Sequence, residues 1–402
     1  MKDERKNAPV IRFDGFFDAW ELRKLTDIVT RVNKSSSDNE LPKVEFEDIF
    51  AGEGRLNKDV STKFDNRKGI KFESEDVLYG KLRPYLKNWL LADFIGVALG
   101  DFWVFRAKES IPSFIYALIQ ADKYQKVAND TAGTKMPRSD WKKVSNTDFL
   151  IPKSIEEQQK IGVFFKQLDD TITLHQCKID ALKRMKKGFL QQMFPTNEES
   201  VPRVRFADFE EKWEQRKLSE LAESFEYGLN ATSTDYNGEN KYLRITDIDD
   251  NSREFIQDGL TSPDIDLTSA DNYKLQKGDV LFARTGASVG KTYRYQEKDG
   301  LVYYAGFLIR ARIKPEFDSD FVFQNTLTDR YNNFIRITSQ RSGQPGVNAK
   351  EYGDFQISVP NFDEQKKIGK FFKSIDDLFT LHQDQLNKLK ILKKAYLQNM
   401  FI

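Results

Sequence analysis

Residues 156–194 read EEQQKIGVFFKQLDDTITLHQCKIDALKRMKKGFLQQMF, and residues 363–401 read DEQKKIGKFFKSIDDLFTLHQDQLNKLKILKKAYLQNMF. The two stretches align without a gap, each residue of the second lying 207 positions after its counterpart (156 and 363 for the first pair). In both, apolar residues recur four and three positions apart in alternation. That average period of about 3.5 predicts two long helices, each with an apolar seam that needs a facing helix.

Polar residues interrupt the two seams at equivalent places. The seam of the first helix is formed by Ile161, Phe165, Leu168, Ile172, Ile179, Leu182, Phe189 and Met193, and that of the second by Ile368, Phe372, Ile375, Phe379, Leu386, Leu389, Tyr396 and Met400. His175 and His382 occupy matching seam positions, as do Lys186 and Lys393. A polar residue in a seam typically sets register. We therefore expect the two helices to pack on each other antiparallel, as a spacer roughly 55–60 Å long.

The duplication extends well beyond the helices. Pro9 and Phe13 match Pro202 and Phe206, the run SEDVLYGK at residue 74 matches KGDVLFAR at residue 277, and a further match begins at residues 113 and 320. An internal repeat of this length predicts two halves of the same fold. We predict five segments: a globule at residues 1–151, a spacer helix at 152–194, a linker at 195–200, a second globule at 201–359 and a second spacer helix at 360–402.

Each half is predicted to be an α+β globule followed by its long helix, so that the whole chain has pseudo-twofold internal symmetry. The predicted strands cover residues 43–49, 77–79 and 102–105 in the first half and 242–248, 280–283 and 307–313 in the second. One amphipathic helix is predicted in each half, at residues 114–127 and 321–335. Pro152 and Pro360 are expected at the first position of the long helices, where the missing N–H of proline is harmless.

Composition excludes several classes of protein. The chain has 402 residues, 63 Lys and Arg against 62 Asp and Glu, and a net charge of +1, so any affinity for nucleic acid must be local. The single cysteine, Cys177, excludes an internal disulfide scaffold and fits a reducing compartment. The sequence contains no apolar run of membrane-spanning length, and its start has no signal-peptide core. We therefore expect a soluble, cytoplasmic protein that does not bind membranes.

Two loops in each half combine glycine or proline with basic, hydroxyl and amide side chains. The candidates in the first half are Lys81, Arg83, Tyr85, Lys87, Thr131, Thr134, Lys135 and Arg138. Those in the second half are Arg244, Arg284, Thr285, Ser288, Lys291, Arg294, Gln340, Arg341, Ser342, Gln344 and Asn348. Arg, Gln and Asn can pair bidentately with base edges, and Lys, Ser and Thr suit phosphates. Basic loops are also common surface turns, but their recurrence at matching positions favours DNA binding.

No catalytic motif emerges from the sequence. The segment from Gly286 to Thr292 approaches a phosphate-binding loop, but it has three residues between its glycines where the motif needs four. The acidic pairs at residues 169–170 and 376–377 are expected on the solvated outer faces of the long helices. The histidines have no cluster of cysteines or carboxylates around them that would predict a metal site. We predict a protein that is not an enzyme, with no cofactor of its own.

With these features together, the chain resembles the DNA-specificity subunit of Type I restriction-modification systems. The resemblance rests on two globules, each followed by a helix that begins EQQKI or EQKKI, at residues 157–161 and 364–368, and ends LQQMF or LQNMF. It implies two target-recognition domains, each reading one half of a bipartite site in double-stranded DNA. It also implies two modification subunits as partners and, through them, motor-nuclease restriction subunits. S-adenosylmethionine, ATP and magnesium would belong to those partners.

Two other readings remain open from the residues alone. The chain could be an adaptor whose coiled coil joins two protein-binding globules, which predicts no sequence-selective binding of duplex DNA. It could also be an enzyme that holds a nucleotide in the loop from Gly286 to Thr292. That reading predicts nucleotide binding that is lost in the variant Lys291→Ala.

Overall fold

A computed structural model describes residues 8–63, 66–131, 135–196, 199–340 and 343–401 of the protein. The chain divides into two compact units, Met1–Lys178 with Gln383–Ile402, and Ile179–His382. We call them unit 1 and unit 2. Each long helix contributes residues to both units, whereas the division predicted from the sequence gives each helix a segment of its own. That five-part division stays a prediction.

The described residues of unit 1 form ten short strands, four short helices, the first part of one long helix and the end of the other. The strands are β1 (Glu21–Lys24), β2 (Val29–Val32), β3 (Ser35–Ser36), β4 (Lys43–Val44), β5 (Gly69–Phe72), β6 (Val77–Gly80), β7 (Trp89–Leu91), β8 (Gly96–Ala98), β9 (Phe102–Ala107) and β10 (Asp148–Ile151). The helices are α1 (Leu25–Ile28), α2 (Pro112–Leu118), α3 (Asp122–Ala128), α4 (Trp141–Ser145) and the long α5 (Ile155–Gln192).

The strands of unit 1 form two four-stranded sheets and one two-stranded ribbon. The first sheet has the order β2-β9-β6-β7 and is antiparallel; the second has the order β3-β5-β8-β4, with β4 and β8 parallel. The ribbon pairs β1 with β10, so that Glu21 lies opposite Ile151, just before α5 begins. The base of the long helix is thereby closed onto the globule.

Unit 2 repeats this order of elements. Its strands are β11 (Glu214–Lys217), β12 (Ala222–Tyr227), β13 (Ser233–Asp235), β14 (Lys241–Leu243), β15 (Thr261–Pro263), β16 (Asp279–Ala283), β17 (Thr292–Arg294), β18 (Val302–Tyr304), β19 (Leu308–Ile313) and β20 (Gln356–Val359). Its helices are α6 (Leu218–Leu221), α7 (Ser319–Asn325), α8 (Asp329–Thr338), α9 (Ala349–Gly353) and the first part of α10 (Phe362–Met400).

The sheets of unit 2 correspond to those of unit 1. The main antiparallel sheet has the order β12-β19-β16-β17, and the ribbon before α10 pairs β11 with β20. The pairs β14-β18 and β13-β15 complete the unit. The prediction of a mixed α/β chain with two repeats is confirmed.

The single amphipathic helix predicted in each half is wrong, because each is two helices. In unit 1, α2 ends at Leu118 and α3 begins at Asp122.

 The Ala121 backbone, at φ −66° and ψ 150°, is extended, which ends the first helix and starts the second. In unit 2 the hydroxyl of Thr328 caps α8 by accepting from the N–H of Tyr331 at 3.3 Å. The predicted strands at residues 43–49 and 242–248 are likewise shorter than expected, because each ends in a 3-10 turn.

The two long helices form where the repeat predicts them, and polar residues cap both. The Ser154 hydroxyl accepts from the N–H of Glu157 at 3.3 Å, and the Asn361 side chain accepts from the N–H of Glu364 at 3.0 Å. Pro152 therefore precedes the capping residue of α5, and proline does not take the first helical position that the sequence suggested. Within the described residues, no helix is long and apolar enough to cross a membrane.

The repeated Glu-Gln pair at the start of each long helix holds the globule to the helix. In unit 1 the Glu157 carboxylate accepts two hydrogen bonds from Arg12, at 2.6 and 2.8 Å, and a third from the Trp20 indole at 3.2 Å. The next residue, Gln158, accepts from the Ser110 hydroxyl at 2.7 Å and donates to the Pro152 carbonyl at 3.0 Å. Charge-assisted bidentate pairs of this kind are strong and geometrically specific.

Unit 2 makes the corresponding contacts. Arg205 donates to both carboxylate oxygens of Glu364 at 2.7 Å. Gln365 accepts from the N–H of Asp318 at 3.0 Å and donates to the Pro360 carbonyl at 2.9 Å. The part of the sequence repeat that carries the family resemblance is thus a structural joint between globule and helix.

Glycine follows the same motif in both helices because another helix approaches closely there. A Cβ atom at Gly162 would lie 2.7 Å from the backbone nitrogen of Phe114, at the start of α2. At Gly369 it would lie 2.4 Å from a carboxylate oxygen of Asp318, which caps α7. Only glycine leaves room for this contact.

Within each unit the segments of α5 and α10 run antiparallel. In unit 1 the rings of Phe164 and Tyr396 are 4.9 Å apart, and Asp169 lies against Lys393. As the residue number rises along α5, it falls along α10. All the seam residues predicted from the sequence are buried or half-buried.

Unit 2 has the equivalent antiparallel contacts. The rings of Phe189 and Phe371 are 4.9 Å apart, and Lys186 lies against Asp376. These residues occupy the positions that correspond, in the repeat, to Tyr396, Phe164, Lys393 and Asp169 of unit 1. The two units therefore use one pattern of helix packing.

The prediction that the acidic pairs face solvent is wrong for the first acid of each pair. Asp169 is buried and its carboxylate lies 2.5 Å from the Lys393 ammonium, while half-buried Asp376 lies 2.6 Å from Lys186. The lysines that interrupt the seams are the reason, because a buried ammonium needs a carboxylate beside it. The second acids, Asp170 and the equivalent residue of α10, are exposed as expected.

Candidate nucleic-acid interface

The two candidate loops of unit 1 lie side by side. Leu82, in the loop after β6, forms an isolated antiparallel bridge with Arg138, in the loop before α4. The N–H of Arg83 donates to the Pro137 carbonyl at 2.7 Å, and the N–H of Ser139 donates to the Lys81 carbonyl at 2.8 Å. Backbone bonds therefore join loops that are about 50 residues apart in the sequence into one surface.

Arg83 and Lys87 are held in a backbone conformation that side chains rarely adopt. Their φ angles are 48° and 56°, and they flank the 3-10 turn Pro84–Leu86. The carbonyl of Lys87 accepts from the N–H of Gly52 at 2.9 Å, which holds the end of the turn. Left-handed non-glycine residues cluster at functional sites, where the surroundings hold the strained backbone. The turn exposes the Arg83, Tyr85 and Lys87 side chains.

The cations of this surface fall into two groups. Lys81 and Arg138 share the Asp101 carboxylate, at 3.5 and 3.0 Å. Arg83, Lys87 and Lys135 are exposed, and within the described part of the chain no carboxylate lies within 4.0 Å of them. These three side chains are therefore available to an external anion.

The two threonines predicted with these cations contribute less. Thr131 is half-buried, and its hydroxyl lies 3.5 Å from the Asn129 carbonyl. Thr134 lies outside the described residues. Two neighbouring side chains that the sequence reasoning passed over, Leu86 and Met136, are exposed on the same two loops.

The candidate loops of unit 2 are joined in the same way. Thr285, in the loop after β16, forms an isolated antiparallel bridge with Gly346, in the loop before α9. The N–H of Gly286 donates to the Pro345 carbonyl at 3.0 Å, and the N–H of Val347 donates to the Arg284 carbonyl at 2.9 Å. Gly286 has φ +74°, and a Cβ atom there would approach the Gln344 amide nitrogen to 3.0 Å. Glycine thus lets the loops meet.

Arg284 is held between two exposed aromatic rings. Its guanidinium carbon lies 5.0 Å from the ring centre of Tyr227 and 5.9 Å from that of Phe307. Phe307 is 60% exposed. Cation–π contacts orient the guanidinium, and its Nε–H has no hydrogen-bond partner among the described residues. Arg284 is half-buried and its Nε is itself buried, so the two rings fix where the guanidinium lies.

The residues predicted from the sequence include Arg284 but neither of these rings. Tyr227 ends β12 and Phe307 precedes β19, the two strands that pair beside the Arg284 loop. The available signal was an aromatic residue next to Gly228 and another next to Gly306, at the ends of predicted strands. Nothing in the sequence indicated that the two would lie on either side of one arginine.

The remaining loop candidates of unit 2 differ in exposure. Gln340 and Gln344 are exposed, and Thr285 and Ser288 are half-buried. The Asn348 side chain is exposed but caps α9 by accepting from the N–H of Glu351 at 3.0 Å. Two more candidates, Arg341 and Ser342, lie outside the described residues.

Three cations that the sequence suggested as DNA ligands have other partners in the structure. The Lys291 ammonium is buried and donates to the Ile248 carbonyl at 2.7 Å, with Asp250 at 2.6 Å. Arg294 lies 2.6 Å from Asp320. Arg244 pairs with Asp247, two of its nitrogens lying 2.8 Å from the carboxylate oxygens. Because carboxylates already balance these charges, we leave Lys291, Arg294 and Arg244 out of the interface proposed below.

The loop from Gly286 to Thr292 does not have the geometry of a nucleotide site. Its centre is the 3-10 turn Gly286–Ser288, and a Cβ atom at Gly290 would lie 2.7 Å from the side chain of Ile335. The lysine that would contact a phosphate is the buried Lys291. Within the described residues there is also no group of three or more His, Cys, Asp and Glu side chains that could hold a metal ion.

Comparison with known proteins gives one consistent result. The profile of the family described as the Type I restriction modification DNA specificity domain matches residues 18–184 and 210–391. Two relatives from Methanocaldococcus jannaschii are similar to the chain. The protein assigned as the type I restriction enzyme MjaX specificity subunit is 24% identical over 208 residues, which cover 51% of this chain and 49% of that protein. The type I restriction enzyme MjaVIII specificity subunit is 22% identical over 278 residues, 66% of this chain and 64% of that protein.

The chain thus spans about half of the first relative and just under two thirds of the second. Among solved structures, the crystal structure of the Type-I restriction-modification system S subunit from M. genitalium is similar, with a TM-score of 0.67 and 14% identity. The match covers 98% of this chain and 99% of that one. At this identity the likeness shows a shared fold.

Proposed function

Because the chain belongs to the family of Type I restriction modification DNA specificity domains, we propose that it selects the DNA target of such a system. Each unit would read one half of a bipartite site in double-stranded DNA. The observation that carries the proposal is the pair of bridged loops, Leu82 to Arg138 in unit 1 and Thr285 to Gly346 in unit 2. A binding surface built twice in one chain suits a target with two parts.

The exposed groups on these loops are of the kinds that bind DNA. A guanidinium can donate two hydrogen bonds to the major-groove edge of guanine, and the amides of Gln340 and Gln344 can pair with adenine. The ammonium groups of Lys87 and Lys135 suit phosphates, which orient a protein on the duplex without reading its sequence. We assign base reading to Arg83 and Arg284, whose backbone or rings hold them in place, and phosphate contacts to the lysines.

We further propose that α5 and α10 form a spacer that sets the gap between the half-sites. The support is the antiparallel packing of their segments within each unit, with buried seams and matching Lys–Asp pairs. Two readers on one face of B-DNA would need their half-sites centred about 34–36 Å apart, or one helical turn. Inserting seven residues into both helices should therefore change the gap in the recognised sequence. An unchanged gap would exclude the spacer role.

Modification subunits are proposed to dock on the outward faces of the long helices. Leu174 and Leu381 occupy equivalent positions in the repeat, as do Met185 and Leu392, and all four are exposed outside the seams. Exposed apolar residues that recur on both helices suit two copies of one partner. Restriction subunits would join through the modification subunits. S-adenosylmethionine, ATP and magnesium would bind to those partners, so this chain alone would transfer no methyl group.

The proposal is tested by letting the full-length chain, assembled with its modification subunit, select from a random library of duplex DNA. The expected result is a bipartite consensus with a gap of constant length. Arg83→Ala should relax the consensus in one half and Arg284→Ala in the other. If the chain selects no sequence at all, the adaptor reading is favoured. If both variants relax the same half, the assignment of one half-site to each unit is wrong.

A further inference from the structure

Unit 2 contains a cavity of about 400 Å³ that the proposed function does not use. It lies between the second half of α5, the loop before Glu254, the start of α8 and the first half of α10. One wall is apolar and is formed by Leu182, Leu190, Leu327, Ile375 and Phe379. The other carries four cations, Lys183, Lys186, Lys187 and Arg253, together with the carboxylates of Asp250, Asp329 and Asp376. Small-molecule sites commonly have this size and combine an apolar wall with a few polar groups.

Arg253 is the unusual residue of this cavity. Its φ angle is +60°, in the left-handed region that favours glycine. Its side chain is half-buried, and burial lowers the pKa of the guanidinium. Among the described residues, its guanidinium makes no hydrogen bond and has no carboxylate within 4.0 Å. A poorly solvated guanidinium without such a partner is costly, so an anion that reached it would be held strongly.

The corresponding position in unit 1 is glycine. The bridge between Ile248 and Phe255 encloses Arg253, and the equivalent bridge between Ile49 and Leu56 encloses Gly54 at φ +67°. Both residues stand two positions before the end of their bridge. Glycine is thus the unstrained residue for this turn, and unit 2 carries arginine instead.

The space beside this position also differs between the units. A Cβ atom at Gly54 would lie 1.7 Å from the hydroxyl oxygen of Tyr116, so unit 1 has no room for a side chain there. The residue that matches Tyr116 in the repeat is Phe323, which has no hydroxyl. Unit 2 therefore has room for the Arg253 side chain. It keeps the same left-handed turn but carries a positive charge there.

The carboxylates around the cavity are bound to other groups. Asp376 lies 2.6 Å from Lys186, Asp250 lies 2.6 Å from Lys291, and Asp329 accepts from the Gln191 amide at 3.3 Å. Burial lowers the pKa of Lys186, and the Arg253 charge nearby lowers it further. Among the described residues no carboxylate pairs directly with Arg253; Asp250 and Asp249 favour its charged form from a greater distance, and the half-buried Lys186 lies nearby.

Lys183, another cation of this wall, contacts an amide and a ring. Its ammonium lies 3.3 Å from the Asn251 side-chain oxygen and 5.4 Å from the centre of the Phe379 ring. Neither contact neutralises its charge. The Phe379 ring and Lys183 together form the part of the wall against which a flat body could pack.

We propose that this cavity binds a small organic anion, with a phosphate or carboxylate on Arg253 and an apolar or aromatic body against Phe379. The fork of the guanidinium matches the two oxygens of either head group. Lys183 and Lys187 would add charge at the entrance. Bound there, the anion would connect the loop of the globule to both long helices within unit 2.

The test measures binding to the full-length chain by calorimetry, with thermal unfolding in parallel. The probes are a nucleoside monophosphate, inorganic phosphate and an aromatic carboxylate. The first and third compare the two head groups, and inorganic phosphate shows how much the aromatic body contributes. The variant Arg253→Gly should weaken binding roughly tenfold or more, because it removes the charge-assisted pair. It should also unfold at a higher temperature than the natural chain without ligand, because glycine relieves the backbone strain.

A matched control is Glu109→Gly in unit 1. Glu109 also has a positive φ, of 50°, but it does not line the cavity. This variant should gain thermal stability and bind the probe as the natural chain does. The proposal is overturned if no probe binds, if Arg253→Gly binds equally well, or if that variant unfolds at a lower temperature without ligand. Displacement of the probe by duplex DNA would also overturn it, because the cavity would then belong to the DNA interface.

Discussion

Units 1 and 2 are most alike where the globule meets the long helices and least alike where the candidate loops face outward. Both join helix and globule through an arginine on the helical glutamate, and both place a lysine against an aspartate between the helices. Their candidate loops use different means to hold an arginine. Unit 1 holds Arg83 by a left-handed backbone, whereas unit 2 holds Arg284 between two rings. The shared parts are structural, and the differing parts are those that we assign to DNA.

The largest expected effect comes from removing a seam lysine, because both units rely on a lysine–aspartate pair between the helices. Lys393→Met would leave the Asp169 carboxylate buried without its cation, and breaking a buried pair in this way costs about 3–5 kcal/mol. Lys186→Met should cost less, because Asp376 is more exposed than Asp169. The measurement is the free energy of unfolding in urea. Lys166→Met, which breaks an exposed pair with Asp170, is the control and should cost less than about 1 kcal/mol.

The same variant should change how stability depends on pH. Burial raises the pKa of Asp169 above its ordinary value of 3.8, and the Lys393 charge opposes that rise. A raised pKa means that the folded state holds the proton more tightly than the unfolded state. Stability from this group is therefore present at low pH and is lost as pH rises from 3.8 through the folded pKa. Without Lys393 the loss should extend to higher pH, and an unchanged profile between about pH 4 and 7 would contradict the assignment.

Replacing the arginine of each candidate loop with alanine tests whether the two units read different half-sites. Arg83→Ala and Arg284→Ala should each cost about 1–3 kcal/mol of discrimination at one base position, since each removes a bidentate donor. The unfolding free energy should change little, because Arg83 is exposed and the two rings beside Arg284 are exposed. Binding to the selected target and to targets altered in one half gives the measurement. The buried Lys291 provides the contrast: Lys291→Met should lower stability and leave the recognised sequence the same.

A smaller effect is expected at Lys87 in unit 1, where the strain of a positive φ can be measured separately from the proposed contact with DNA. Lys87→Gly should stabilise the chain by up to about 1 kcal/mol, because glycine adopts a positive φ without steric conflict. It should also weaken DNA binding slightly and reduce its dependence on salt, as expected for the loss of one phosphate contact. Thermal unfolding and a salt titration of binding check the two parts. Lower stability would show that the lysine side chain holds the turn.

The smallest expected effect concerns the rings of unit 2. Phe307→Leu keeps an apolar side chain but removes one of the two faces beside Arg284, and an exposed cation–π contact contributes about 0.5–1 kcal/mol. DNA affinity should fall by that amount only at the half-site that Arg284 reads. Tyr85→Leu in unit 1 is the comparison. Equal losses at both half-sites in either variant would mean that the rings act on the fold as a whole.

The sequence predicted the regular parts of this fold well and the irregular parts poorly. The seam period located α5 and α10 to within a few residues, because a repeated pattern over ten turns allows few alternatives. It could not show that Ala121 ends a helix, since alanine is an ordinary helix former and tertiary packing decides the matter there. Nor could it show that Asp169 is buried, because that depends on the seam lysine of a helix more than 200 residues away.

The candidate interface shows the same limit. Matching loops in two halves pointed to Arg83, which the structure leaves exposed, and to Arg284, which lies half-buried between two rings. The sequence could not separate them from Lys291 and Arg294, because the carboxylates that occupy those two cations come from other elements. The rings around Arg284 were also beyond reach, since they belong to strands that lie apart in the sequence and meet only in the folded sheet.

The pairing of seam lysines with seam aspartates has a consequence for assembly. Each long helix carries both a lysine and an aspartate at equivalent positions, so two copies of either helix could satisfy the same antiparallel pairing. The pattern encodes direction and alignment but not the identity of the partner helix. Correct pairing within one molecule must then come from the covalent tether, which keeps the effective concentration of the chain's own second helix high. At high protein concentration, nascent or unfolded chains would face competition from helices of their neighbours.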